Sequence, residues 1–182
     1  MIDYARCLTG GLFVVMMSIA ATSAANAHDE GRAAADGAAV AEIGSGVRTS
    51  NPAISAVLRE ASERSATFRG LVQSIEASDG IVRVEHGICP SRAPGCLLWT
   101  VAIVGPHRIL QILVDTSAQE DSLMAAIGHE MQHAIEVLSN RMLRTNAAIQ
   151  LFYRRTGRSW GAVFETDAAV KTGYTVLAEV RR

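Results

Sequence analysis

Apolar positions along this chain follow two periods, and the switch between them marks out its elements. After Ser50-Asn51-Pro52, a polar cap with proline at the first helical position, Ile54, Val57, Leu58 and Ala61 recur at helical spacing. A break over residues 65–67 leads into a second short helix bearing Phe68, Leu71, Val72 and Ile75, which Asp79-Gly80 ends. The character then changes. Residues 81–86, 97–104 and 109–114 are β-branched or apolar runs separated by turn residues, and they predict strands. Their short connections predict consecutive antiparallel pairing.

Helical spacing returns after the third run. Ser117 followed by Glu120 reads as a capping box and predicts a helix starting just after Ser117. Its buried stripe would be Leu123, Ile127, Met131, Ala134 and Leu138. A further helix is predicted over 145–155, with Ala148, Leu151 and Phe152 inward and Gly157 as its stop. The last helix is predicted over 164–180. Val163, Val170, Tyr174 and Leu177 form one stripe, beside a stripe of Glu165, Ala168, Ala169 and Thr172. The short side chains of that second stripe would let this helix approach another closely. The fold class is α+β, with a short antiparallel or mixed sheet of about three strands packed against helices.

The N-terminus changes the picture of where the protein works. Arg6, an uncharged apolar run over 8–20 and the small-residue signature Ala25-Asn26-Ala27 read as a signal peptide over 1–27. The run is short of the roughly 20 residues that a transmembrane helix needs. Cys7 would leave with it. Residues 28–49, which include His28, are Ala- and Gly-rich without apolar period and are expected to be a disordered leader. That leaves 50–182 as one domain, extracytoplasmic after cleavage, whether periplasmic or secreted. In that compartment Cys89 and Cys96 are expected to close a disulfide. With a formal net charge of -1 and scattered basic residues, neither nucleic acid nor, after cleavage, a membrane is an expected partner.

The candidate chemistry lies in Gly128-His129-Glu130-Met131-Gln132-His133. His129 and His133 are one turn apart on one helical face, where two imidazoles can bind a single Zn²⁺. Glu130 then stands beside the metal, where a carboxylate can take a proton from an activated water. A catalytic zinc needs a third protein ligand. Glu136 shares the histidine face but lies about 10 Å along the axis from His129, too far to share an ion held at roughly 2 Å. It is left to hold a ligand from behind or to face solvent. Glu165 and Asp167 remain, about 200° apart on a regular helix. Glu165 shares its face with the small residues and is the expected ligand. Asp167 is left to orient a histidine, or to sit as a solvated acidic helix start.

With these residues in place, the chain resembles the gluzincin branch of the zincin-like metallopeptidases over residues 108–174. The resemblance implies His129, His133 and Glu165 as zinc ligands and Glu130 as general base. It also implies the run 109–114 as a sheet edge holding an extended peptide or protein substrate. Many gluzincins place an aspartate four residues after the ligand glutamate, where this chain has Ala169. The expected function is an exported zinc-dependent hydrolase, a metallopeptidase. The alternative is a secreted zincin-scaffold binding or structural module without proteolysis. His86, His107, Tyr153 and Tyr174 are the candidates for stabilising an oxyanion, and the sequence does not choose among them.

Overall fold

The first helix begins where cap and proline put it. In the computed structural model, which describes residues 41–42, 44–90, 92–160 and 163–182, Asn51 Oδ1 accepts from the N–H groups of Ala53 and Ile54. Two short strands, β1 (Ala41–Glu42) and β2 (Val47–Thr49), precede α1 (Pro52–Arg64) and α2 (Ala66–Glu76). Then come β3 (Gly80–His86), β4 (Gly95–Leu97), β5 (Ala102–Val104) and β6 (His107–Val114). Three helices follow: α3 (Glu120–Leu138), α4 (Asn146–Thr156) and α5 (Asp167–Val180). The hairpin β7 (Arg158–Trp160) and β8 (Val163–Glu165) joins the last two.

The fold is α+β, but the sheet is larger than the three runs predicted. Six strands form it in the order β1-β2-β3-β6-β4, with β5 also on β6. Residues 47–49, placed in the leader, are its second strand. Val47 is fully buried and pairs in parallel with Val82, so one apolar residue suffices to seat a strand that has no visible period. The expected signal peptide and residues 28–40 of the leader lie outside the described residues.

The consecutive antiparallel pairing is also corrected. The run 97–104 is broken into β4 and β5, and the tight turn at Gly105, with φ +57, folds β5 back on β6. That return inserts β6 between β3 and the broken strand, so β3 and β6 run parallel while β4 and β5 pair antiparallel with β6. The run 109–114 is therefore central, and the sheet ends at β4. Val82, Val84, Leu110, Ile112 and Val114 turn to one buried face, which the helices cover. The alternation along β6 puts Arg108 on that same face.

Arg108 is fully buried and anchors the end of α3. Its guanidinium donates to the Asp79 carboxylate at 2.6 and 3.0 Å and to the carbonyls of Val137, Leu138 and Asn140 at 3.0, 2.6 and 2.8 Å. These carbonyls lie at the C-terminus of α3, where helix geometry leaves acceptors without partners. Asp79 is in turn held below the usual carboxylate range by the hydrogen-bonded Arg108.

Three helical details differ from the pattern. Asp115 Oδ1 takes both the N–H and the hydroxyl of Ser117, so no capping box forms. The helix starts at Glu120, with Glu120 and Asp121 in the first turn favoured by the macrodipole. On α4 the buried residues are Ile149 and Tyr153, while Leu151 is exposed. On α5 Ala169, Val176 and Val180 are buried, whereas Ala168, Val170 and Tyr174 are exposed. No helix among the described residues is long and apolar enough to cross a membrane.

Replacing Arg108 by methionine leaves the α3 carbonyls without their donor and Asp79 with only Arg144, 3.6 Å away. Urea unfolding is expected to show a loss of about 3 kcal/mol or more with an unchanged slope. A loss below about 1 kcal/mol would show that this anchor does not hold the helix.

Candidate metal centre

The centre is assembled by three neighbouring elements: α3, α5 and the hairpin that leads into α5. Helix α3 carries Leu123, Ile127, Met131, Ala134 and Leu138 inward, all buried as the periodicity predicts. His129 and His133 stand at the border of that stripe, the first part-exposed and the second 5% exposed. Helix α5 packs tightly on α3 at two glycines. A methyl group added at Gly173 would lie 3.2 Å from His129 Cβ, and one added at Gly128 would lie 2.9 Å from Val176 Cγ2. This approach brings the end of β8 next to the histidines.

Glu165 is the residue it delivers. Its Oε2 lies 3.0 Å from His129 Nε2 and 3.7 Å from His133 Nε2. Ligand atoms of His129, His133 and Glu165 all fall within 4.8 Å of one another. Glu165 Oε2 is buried and makes no hydrogen bond, although both ring nitrogens are near. A buried carboxylate oxygen without a hydrogen bond is unfavourable by itself, and an ion shared with the two imidazoles would satisfy it. The three residues can hold a metal ion. Glu165 reaches them from a strand and not from a helix: Thr166 caps α5 through the Ala169 N–H, and the helix begins only at Asp167.

Of the two carboxylates left to a supporting place, Glu136 takes it and Asp167 does not. Asp167 is exposed and pairs with Arg158, so it orients neither histidine. Glu136 has that role for His133. His133 Nδ1–H donates to Glu136 Oε2 at 3.0 Å, which fixes the tautomer and leaves Nε2 for the metal. Thr166 Oγ1 donates to Glu136 Oε1 at 2.6 Å. The cap of α5 is thereby tied to the second histidine. Thr166 carried no signal beyond its place next to Glu165. Ala169, where many gluzincins have aspartate, is fully buried.

Glu130 is 8% exposed and lies on the cleft side of α3. Its Oε2 accepts from Leu97 N–H of β4 at 2.7 Å, and its Oε1 lies 3.9 Å from His129 Nε2. Burial pushes its carboxyl above the usual range, only partly offset by the two imidazoles and the Leu97 N–H. Glu165 is shifted the other way. Burial would raise it, but the adjoining His129 and His133 outweigh that and hold it at about 2. His133 is lowered by burial and raised more strongly by Glu136 and Glu165, to about 9.

Of the four candidate oxyanion donors, two are remote. His86 is bound to Thr116 Oγ1 at 3.0 Å, and His107 opens β6; neither lines the cleft over the centre. Tyr153 does line it, but its hydroxyl donates to His133 O at 2.9 Å. Burial and nearby carboxylates push its phenol far up, so it stays protonated. Tyr174 lines the cleft and is 71% exposed.

No family model, no curated protein and no solved structure matches this chain. The likeness to gluzincins rests on the residues quoted above.

The metal-free centre should respond to pH in a defined direction. His133 has a folded value of about 9 against an ordinary 6.5, so its contribution to stability is full below 6.5 and fades as pH rises through 9. Metal must displace that proton, so Zn²⁺ affinity should rise about tenfold per pH unit across the same window. Calorimetric titrations and urea midpoints over this range test both. An affinity independent of pH there would contradict a protonated His133.

Proposed function

We propose that this chain is a zinc-dependent hydrolase of peptide bonds, with Glu130 as its general base. The observation that carries the reading is a buried carboxylate, Glu130, set beside two imidazoles and a second carboxylate, Glu165, that together can share one ion. Two histidines and one glutamate form a donor set in which zinc retains an open position. His129, His133 and Glu165 would hold it. The ion, when bound, supplies positive charge that polarises a carbonyl and acidifies water.

Glu130 does the proton work. The Leu97 N–H anchors one of its oxygens, leaving Oε1 to accept a proton from water in the cleft and return it to the departing amine. A carboxyl raised by burial both takes and releases that proton more readily near neutral pH. Leu97 itself belongs to β4, the strand at the end of the sheet. The peptide-holding edge expected at residues 109–114 is thus assigned to β4, whose open side borders the cleft.

The compartment belongs to the same proposal. Cys89 and Cys96 are joined, with their Cα atoms 5.9 Å apart. A closed disulfide in so small a loop supports an oxidising, extracytoplasmic setting. The loop borders the cleft through Pro90, Ala93 and Pro94.

Glu130→Gln keeps the shape of the side chain and removes the base. With zinc content unchanged, cleavage of an unfolded protein substrate is expected to fall by about 100-fold or more. An unaltered rate with zinc retained would overturn the mechanism. Zinc bound without cleavage in the wild-type chain would leave a metal-holding binding module instead.

A further inference from the structure

The cleft over the metal centre has a volume of about 1010 Å³ and is unequal at its two ends. Strand β4 runs along α3 in the same sense. A methyl group added at Gly95 would lie 3.5 Å from Ala126 Cβ and 3.3 Å from Glu130 Cγ, and two residues on Leu97 reaches Glu130. Trp99, two residues further on and past the end of β4, also lines the cleft. There its ring meets Phe164, with centroids 4.9 Å apart and planes at 54°. The Tyr153 ring adjoins His133 at 5.4 Å. Phe164 immediately precedes the ligand Glu165. Packed aromatic rings wall this end; at the other, α3 presents Ser122, Ala125 and Ala126 and α5 adds Leu177 and the exposed Tyr174.

Charge is equally one-sided. Among the described residues that line the cleft none is lysine or arginine, and the only carboxylates are Glu130 and Glu165, both engaged in the centre. A terminal carboxylate or an acidic side chain entering here would lose water and meet no basic side chain. An apolar side chain against half-buried rings gains by leaving water.

We propose that the cleft takes an internal stretch of polypeptide, with a bulky uncharged apolar side chain held against Trp99 and Phe164. This rests on the peptidase reading and makes the activity an endopeptidase. Neither chain terminus of the substrate is recognised. The volume, at the upper end of the range for ligand pockets, accommodates several residues.

The test compares end-blocked peptide hydroxamates that differ in one side chain, phenylalanine against aspartate, placed on one or the other side of the chelating group. Calorimetry on the zinc-loaded full chain is expected to show the better-placed phenylalanine ligand binding about tenfold or more tighter than its aspartate counterpart. Trp99→Ala should remove most of that gap and leave the affinity for acetohydroxamate unchanged. Trp99→Phe should retain the gap, which covers an alanine variant that fails to fold. Adding a free C-terminal carboxylate should bring no gain. The plain amide peptides on metal-free protein should keep the same order, so the result does not depend on zinc.

Equal affinities at both placements would overturn the proposal, as would a gap that survives Trp99→Ala. A tenfold gain from a free carboxylate would do the same. Side-chain selectivity without cleavage of any peptide would keep this assignment of the cleft and discard the hydrolase reading. Cleavage without selectivity would do the reverse.

Discussion

The near-contact of α3 with α5 is the constraint on which the centre depends. Gly128 faces Val176 and Gly173 faces His129 at separations that an added side chain could meet only if its neighbour shifted. Two glycines in helix interiors are unfavourable by about 1 kcal/mol each relative to alanine. Here they let a carboxylate from the end of β8 reach a pair of imidazoles on a helix distant in sequence. Thr166 extends the same contact, since its hydroxyl both caps α5 and binds the Glu136 that holds His133. Ligand placement and helix capping are thus one structural event. At the opposite end of α3, Arg108 fixes the helix to the sheet through Asp79 and the last carbonyls.

Three glutamates meet two histidines in this region, and their surroundings give each a separate task. Glu130 is buried and its carboxyl is raised, which suits a group that exchanges protons. Glu165 is held at about 2 by its imidazole neighbours and stays ionised, as a metal ligand must. Glu136 has both oxygens engaged, by His133 and by Thr166. In the proposed function the same group would serve as base, ligand and brace because burial and partners differ over a few ångströms.

Much of this was legible in the chain. The helical stripe through Ile127 and Met131, the facing pair His129 and His133 and the Cys89–Cys96 pairing all follow from local spacing or composition. What was not legible depends on tertiary insertion. Nothing in residues 81–114 tells that β6 slips between β3 and β4, because hydrophobic runs encode burial and not neighbour order. Residues 47–49 carry too few side chains to show a period. Glu165 was selected for its place beside small residues on a helix, yet it sits on a strand. Of the small residues expected to mark the close approach, Ala169 is buried and Ala168 is exposed, and the approach itself is made at Gly173, which that stripe did not include. Leu151 was expected inward and lies outward, since one turn of apolar residues fits either face of α4. Ser117 lost its cap to Asp115, a competition between two short side chains that spacing alone does not resolve.

The metal content of the full chain after zinc incubation and removal of unbound ion is the most direct measurement. One zinc per chain is expected in the wild type and in Asp167→Ala, and almost none in Glu165→Ala. A wild-type chain that retains no zinc, or a Glu165→Ala chain that keeps it in full, would contradict a shared ion at His129, His133 and Glu165.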